Sequence, residues 1–160
     1  MPNPITAEKI LAVAIDLEKT GQMFYETLAG CCADAQVAAL CSRLAKQEIA
    51  HAALFGKVRA ELPRNDQAAP LTEEQAEQFH SRLKDSAIPH PEKVRQIALS
   101  GNTQEALDAA IGMEQGSIRF YADILRSVAP DQAPVVEKII AEERRHVEIL
   151  TAYRQGRSAA

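Results

Sequence analysis

Apolar residues recur every three or four positions along four long stretches of the chain, the spacing of one helix face. Over residues 6–29 the stripe reads Leu11, Ala14, Glu18, Gly21, Tyr25, Leu28. Over 34–62 it reads Val37, Leu40, Leu44, Glu48, His51, Phe55, Val58, Leu62. Over 103–128 it is Leu107, Ile111, Glu114, Ile118, Tyr121, Leu125, and over 132–154 it is Val136, Ile139, Glu143, His146, Leu150, Tyr153. Each stripe is apolar except near its middle, where a glutamate stands. In the second and fourth, a histidine follows three residues later.

Breaks between the stripes set the connectivity. The Gly30-Cys31-Cys32 corner ends the first stretch, and Asp34 is placed to cap the second. Pro63-Arg64-Asn65-Asp66 ends that one, Thr103 is a candidate cap for the third, and Pro134 fits the first turn of the fourth. A crossover over 63–102 separates the two pairs. Thr72-Glu73-Glu74-Gln75 has the spacing of a capping box before a helical pattern to about Asp85, and Pro91 to Leu99 reads as a second short helix. Two short connections and one long crossover predict an all-α, single-domain four-helix bundle of two antiparallel hairpins.

Composition agrees. Of the 160 residues 28 are alanine, aromatics make up 4 %, and tryptophan is absent. That mix suits helices and is poor for a β-sandwich or barrel. The formal charge of −4 argues against a dedicated nucleic-acid or anionic-membrane surface. No stretch approaches 18 uninterrupted apolar residues, and Met1 to Thr6 has neither a basic segment nor an apolar run. Three cysteines, Cys31, Cys32 and Cys41, form neither a disulfide framework nor a Cys-x-x-Cys metal site. Free thiols in a reducing cytoplasm are expected.

The first and last thirds of the chain repeat one another. Glu18, Phe24 and Tyr25 recur as Glu114, Phe120 and Tyr121 at an offset of 96, and Glu48 and His51 recur as Glu143 and His146 at an offset of 95. Counted from the hairpin corners at about 1.5 Å per residue, all four acids lie at about 20 Å, so they meet at one level inside the bundle. Clustered buried carboxylates repel one another and are costly unless neutralised. The stripes carry no lysine or arginine to do so. Two divalent cations balance four carboxylates, and imidazole with carboxylate suits iron or manganese better than sulfur-seeking metals.

On these residues the chain resembles the ferritin-like di-iron carboxylate proteins, and within them the rubrerythrin-like branch. The resemblance covers about residues 6–61 and 103–154. It implies two iron ions, with manganese or a mixed pair as variants. By the same resemblance Glu18 and Glu114 are terminal ligands, Glu48 and Glu143 bridge, and His51 and His146 give each metal one nitrogen. Tyr25 and Tyr121 either hydrogen-bond ligand carboxylates or sit as core tyrosines. Glu142, Arg144 and Arg145 are read as solvated, as are His80 and His90 in the crossover.

The chain also departs from its look-alikes. It lacks the four cysteines of a rubredoxin domain. Ser117 stands where some rubrerythrins have a second glutamate. Ile49 stands where bacterioferritins place a haem-binding methionine, so no haem is expected. The implied activity is oxidation of Fe(II) with reduction of O2 or peroxide, with an external electron donor for turnover. The alternative is non-catalytic iron binding, storage or sensing. A hydroxylase acting on an organic substrate and a metal-free interaction bundle remain further readings. A homodimer is expected from the resemblance alone.

Overall fold

The computed structural model describes residues 6–62, 72–74, 77, 81, 90–126 and 128–156. The helices whose full ranges are described are α1 (Ala7–Cys31), α2 (Ala35–Ala60), α3 (Pro91–Leu99), α4 (Thr103–Ile124) and α5 (Ala133–Arg154). α1 pairs with α2 and α4 with α5 as two hairpins. Contacts of α1 with α4 and of α2 with α5 join the hairpins, and α3 lies against α1 and α4. The first crossover helix expected at 72–85 falls outside the described residues apart from Thr72, Glu73, Glu74, Glu77 and Ser81. His80 lies outside them as well. Among the described residues no helix is long and apolar enough to cross a membrane.

Local chemistry explains most boundaries. The Thr6 hydroxyl accepts from the Lys9 N–H, and one Asp34 oxygen accepts from Gln36 N and Val37 N at 2.9 and 3.2 Å. Each satisfies amides that the first helical turn leaves without a partner. His90 is exposed and its Nδ1 accepts from Glu92 N at the start of α3. The cap of α4 is Asn102, not Thr103: Asn102 is extended, its side-chain oxygen accepts from Glu105 N at 3.1 Å, and Thr103 is already helical. Gly101 has a φ of 76° and makes the turn that precedes it, a conformation that costs glycine little. α4 stops at Ile124 and passes into a turn, short of the expected Val128. In α5, Pro134 falls in the first turn, where its missing N–H costs nothing.

The core has two apolar ends. One gathers Phe24, Leu28, Leu40, Leu44 and Leu107 with Val94 and Ala98 of α3. The other gathers Leu11, Phe55, Val58, Phe120, Ile124 and Ile139. Each fully buried large side chain contributes about 1.5–3 kcal/mol by leaving water. Between these ends lies a layer that is neither apolar nor exposed.

Candidate metal centre

That layer consists of Glu18 from α1, Glu48 and His51 from α2, Glu114 from α4, and Glu143 and His146 from α5. None is more than 4 % exposed. No described lysine or arginine is buried with them. The helical period makes this arrangement: Glu48 and His51, like Glu143 and His146, stand three positions apart, so both point inward from one face.

The six side chains form two overlapping groups. Glu18, Glu48, His51 and Glu143 offer ligand atoms within 4.8 Å of one another, and so do Glu48, Glu114, Glu143 and His146. Glu48 and Glu143 belong to both. Glu143 stands between the imidazoles, with Oε1 2.9 Å from His51 Nδ1 and Oε2 2.9 Å from His146 Nδ1. His51 Nδ1 also lies 3.5 Å from Glu18 Oε2. His146 Nδ1 lies 3.5 Å from Glu114 Oε1 and 3.6 Å from Glu48 Oε1. The two rings are stacked, with centroids 5.7 Å apart.

Several of these atoms are buried without a hydrogen-bond partner: Glu18 Oε2, Glu48 Oε1, Glu143 Oε2 and His146 Nδ1. The last two are 2.9 Å apart, yet they are not aligned as a hydrogen bond. Close contact without alignment is what two donor atoms show when both aim at a third object. A buried polar atom left unsatisfied costs about 1–3 kcal/mol, and a cation among these oxygens and nitrogens removes that cost. The donor set of carboxylate oxygens and imidazole nitrogens therefore fits divalent cations of the iron and manganese kind.

Electrostatics without a cation point the same way. Burial first, and then Glu114, Glu18 and Glu143, push the Glu48 carboxyl well above its ordinary range. Burial, then Glu143, raises Glu114 to about 8. For His51, burial opposes protonation but is outweighed by the Glu143 and Glu18 carboxylates, which lift it to about 11. His146 rises to about 9, because Glu114 and Glu143 likewise outweigh burial. Glu143 moves down: burial would raise it, but the His146 and His51 imidazoles close beside it prevail. Protons thus hold places in the cluster that cations would take.

Two tyrosines brace it. Tyr25 on α1 donates its O–H to Glu114 Oε1 on α4, and Tyr121 on α4 donates to Glu18 Oε1 on α1. Each reaches the glutamate of the other hairpin rather than that of its own helix. Both phenols are held well above their ordinary pKa, by burial first and then by the neighbouring carboxylates. They stay protonated and so can donate.

Three residues beyond the expected set touch the centre. Glu142, expected to be solvated, instead accepts from His51 Nε2–H at 2.6 Å while remaining 35 % exposed. Gln47 Oε1 accepts from His146 Nε2–H at 3.1 Å. The repeat contained the signal, since 47 and 142 each immediately precede a glutamate common to both groups. Gly21 is the third. A Cβ there would lie 2.9 Å from Glu48 Oε2, so the lack of a side chain makes room for that carboxylate. Gly21 also lines a cleft with Leu17, Thr20, Glu48, Met113, Glu114 and Ser117, whose free volume is about 10 Å³. That is of the order of one water.

The bundle and its buried layer of four glutamates and two histidines define a ferritin-like protein with a carboxylate–imidazole metal centre. A model of the rubrerythrin family matches residues 9–154, and the chain belongs to that family. In fold it is similar to a crystal structure from Thermotoga maritima, provisionally described as a ferritin-like diiron-carboxylate protein. The TM-score is 0.77 over 97 % of this chain and 98 % of that one, at 24 % identity, a likeness of fold. Among curated proteins none matches the chain in sequence.

Proposed function

We propose that the chain is a di-iron protein that oxidises Fe(II) and reduces O2 or peroxide. The observation that carries this reading is the pair of overlapping four-residue groups that share Glu48 and Glu143, with orphaned donor atoms aimed inward. In this reading Glu18 and His51 hold one ion, Glu114 and His146 the other, and Glu48 and Glu143 span both. Two ferrous ions held there would supply one electron apiece, enough to reduce one peroxide to two waters with two protons taken up.

The chain's own residues set the conditions. His51 and His146 give up a proton at Nδ1 and keep the one at Nε2, held by Glu142 and Gln47. Tyr121 fixes Glu18 Oε1 and leaves Oε2, the oxygen nearer His51, for a cation, while Tyr25 steadies Glu114 through Oε1, the oxygen that also faces His146. The cleft beside Gly21 and Ser117 suits O2 or peroxide better than an organic substrate, because its volume of about 10 Å³ excludes anything bulky. Haem is not part of the proposal, since Ile49 is 47 % exposed and offers no ligand atom.

The reading includes an external electron donor, because three cysteines cannot build a four-cysteine iron site. It also includes a homodimer, supported by family resemblance alone, and a cytoplasmic location, which three unpaired thiols suit. The test is anaerobic loading with Fe(II), followed by a pulse of peroxide or O2 with stopped-flow absorbance. Oxidation of about two irons per chain, repeated after each re-reduction, is the expected result. Fe(II) that survives the oxidant would sink the proposal. A single oxidation without cycling would assign the protein to iron storage or sensing.

A further inference from the structure

The six clustered side chains and the two tyrosines correspond in kind by a pseudo-two-fold symmetry. Glu18 corresponds to Glu114, Glu48 to Glu143, His51 to His146, and Tyr25 to Tyr121. Each half has one carboxylate of its own, two shared ones and one imidazole. The tyrosine braces cross symmetrically. The groups behind the imidazoles do not match. His51 Nε2–H meets the Glu142 carboxylate at 2.6 Å, whereas His146 Nε2–H meets the Gln47 amide oxygen at 3.1 Å.

We propose that Glu142 and Gln47 make the two halves of the centre unequal, so that the half built on His51 takes a divalent cation first and more tightly. The inference rests on the metal-centre reading above and deepens it. With Nδ1 facing the cation, the ring keeps its Nε2 proton and donates it outward. A carboxylate acceptor draws that proton more strongly than an amide and gives the ring imidazolate character. Nδ1 of His51 then becomes the stronger donor. Lys138 Nζ stands 4.0 Å from Glu142 Oε1, the oxygen turned away from His51, and its side chain is 69 % exposed. Solvent therefore screens that ammonium. The cleft is lined by Glu48, common to both halves, and by Glu114 of the His146 half, and it touches neither imidazole. Glu142 and Gln47 act through the imidazoles and are positioning residues.

The test is anaerobic titration of the full chain with Co(II). Calorimetry and visible absorbance give the stepwise constants, and proton NMR follows the paramagnetically shifted imidazole N–H signals. The wild type should bind two Co(II) in steps separated about tenfold or more, with the His51 N–H shifting first. Glu142→Gln should weaken the first step about 10- to 100-fold and merge the two, while Gln47→Glu should tighten the second step. The double swap Gln47→Glu/Glu142→Gln should restore two steps in reversed order, with the His146 N–H shifting first. A residue that merely stabilised the fold would not reverse the order. Equal constants in the wild type, an unchanged ratio in Glu142→Gln, or an unreversed order in the double variant would overturn the inference and leave the metal centre standing. Failure to bind any Co(II) would bring down both.

Discussion

Metal loading should expel protons, and the structure sets how many. Without cations, the His51 and His146 imidazoles titrate at about 11 and about 9, so at pH 7 each carries a proton on the nitrogen that faces the cluster. Glu114 titrates at about 8, so it is a carboxylic acid there, and Glu48 is shifted in the same direction by burial and the neighbouring carboxylates. Each protonated group must lose its proton before it can ligate. Binding two divalent cations at pH 7 should therefore release at least about three protons per chain, from His51, His146 and Glu114, and the overall binding constant should rise by at least about three powers of ten per pH unit. The slope should decline as the pH passes 8 and 9, where Glu114 and then His146 are already deprotonated. Calorimetric titration with Mn(II), in buffers of differing ionisation enthalpy, counts the released protons directly. Release of fewer than about two at pH 7 would refute the reasoning, because it would mean that the cluster is ionised and hydrated before any cation arrives.

The same shifts dictate how the chelated protein melts. Their contribution to stability is whole below the unfolded values, 4.5 for glutamate and 6.5 for histidine, and is lost as pH rises through the folded ones. Melting temperature after chelation should thus fall from about pH 6 to about pH 9 and the gap to the metal-loaded form should widen; Glu143, lowered, works in the opposite sense and only in acid. Tyr25→Phe and Tyr121→Phe each leave a buried carboxylate oxygen without its donor. Each should cost about 1–3 kcal/mol by urea unfolding, whereas no change would remove the bracing role. Gly21→Ala puts a methyl 2.9 Å from Glu48 Oε2, but it gains about 1 kcal/mol of helix propensity. Metal affinity should fall about tenfold or more with little loss of metal-free stability, and unchanged affinity would count against the packing argument. Asp34→Ala should cost about 1 kcal/mol of stability, as the loss of a cap that serves Gln36 N and Val37 N.

Much of the centre is legible in the chain because buried charge is rare. Six polar residues interrupt four apolar stripes, and counting residues from the hairpin corners places the four glutamates at one height. No such count reveals which partner a side chain finds across the bundle. Glu142 looks like a surface acid on a helix rich in charge, and at 35 % exposure it partly is one. Only the packing of α5 beside α2 brings its other oxygen to His51. The tyrosines lie two turns from their own glutamates, and their crossing to the opposite hairpin depends on how α1 and α4 meet. Helix ends failed for a smaller reason. Asn102 and Thr103 are both competent caps, and the turn at Gly101 chooses between them.

By itself the sequence determined the helical period, the two hairpins and the composition of the buried layer. These follow from local geometry and from the cost of burying charge, both of which act along a single helix. Tertiary structure alone decided which oxygens are shared and which are orphaned, and which imidazole leans on a carboxylate and which on an amide. It also decided that the cleft beside Gly21 and Glu114 has a free volume of about 10 Å³, of the order of one water. Such distances depend on how four helices settle against one another, and no single helix carries that information.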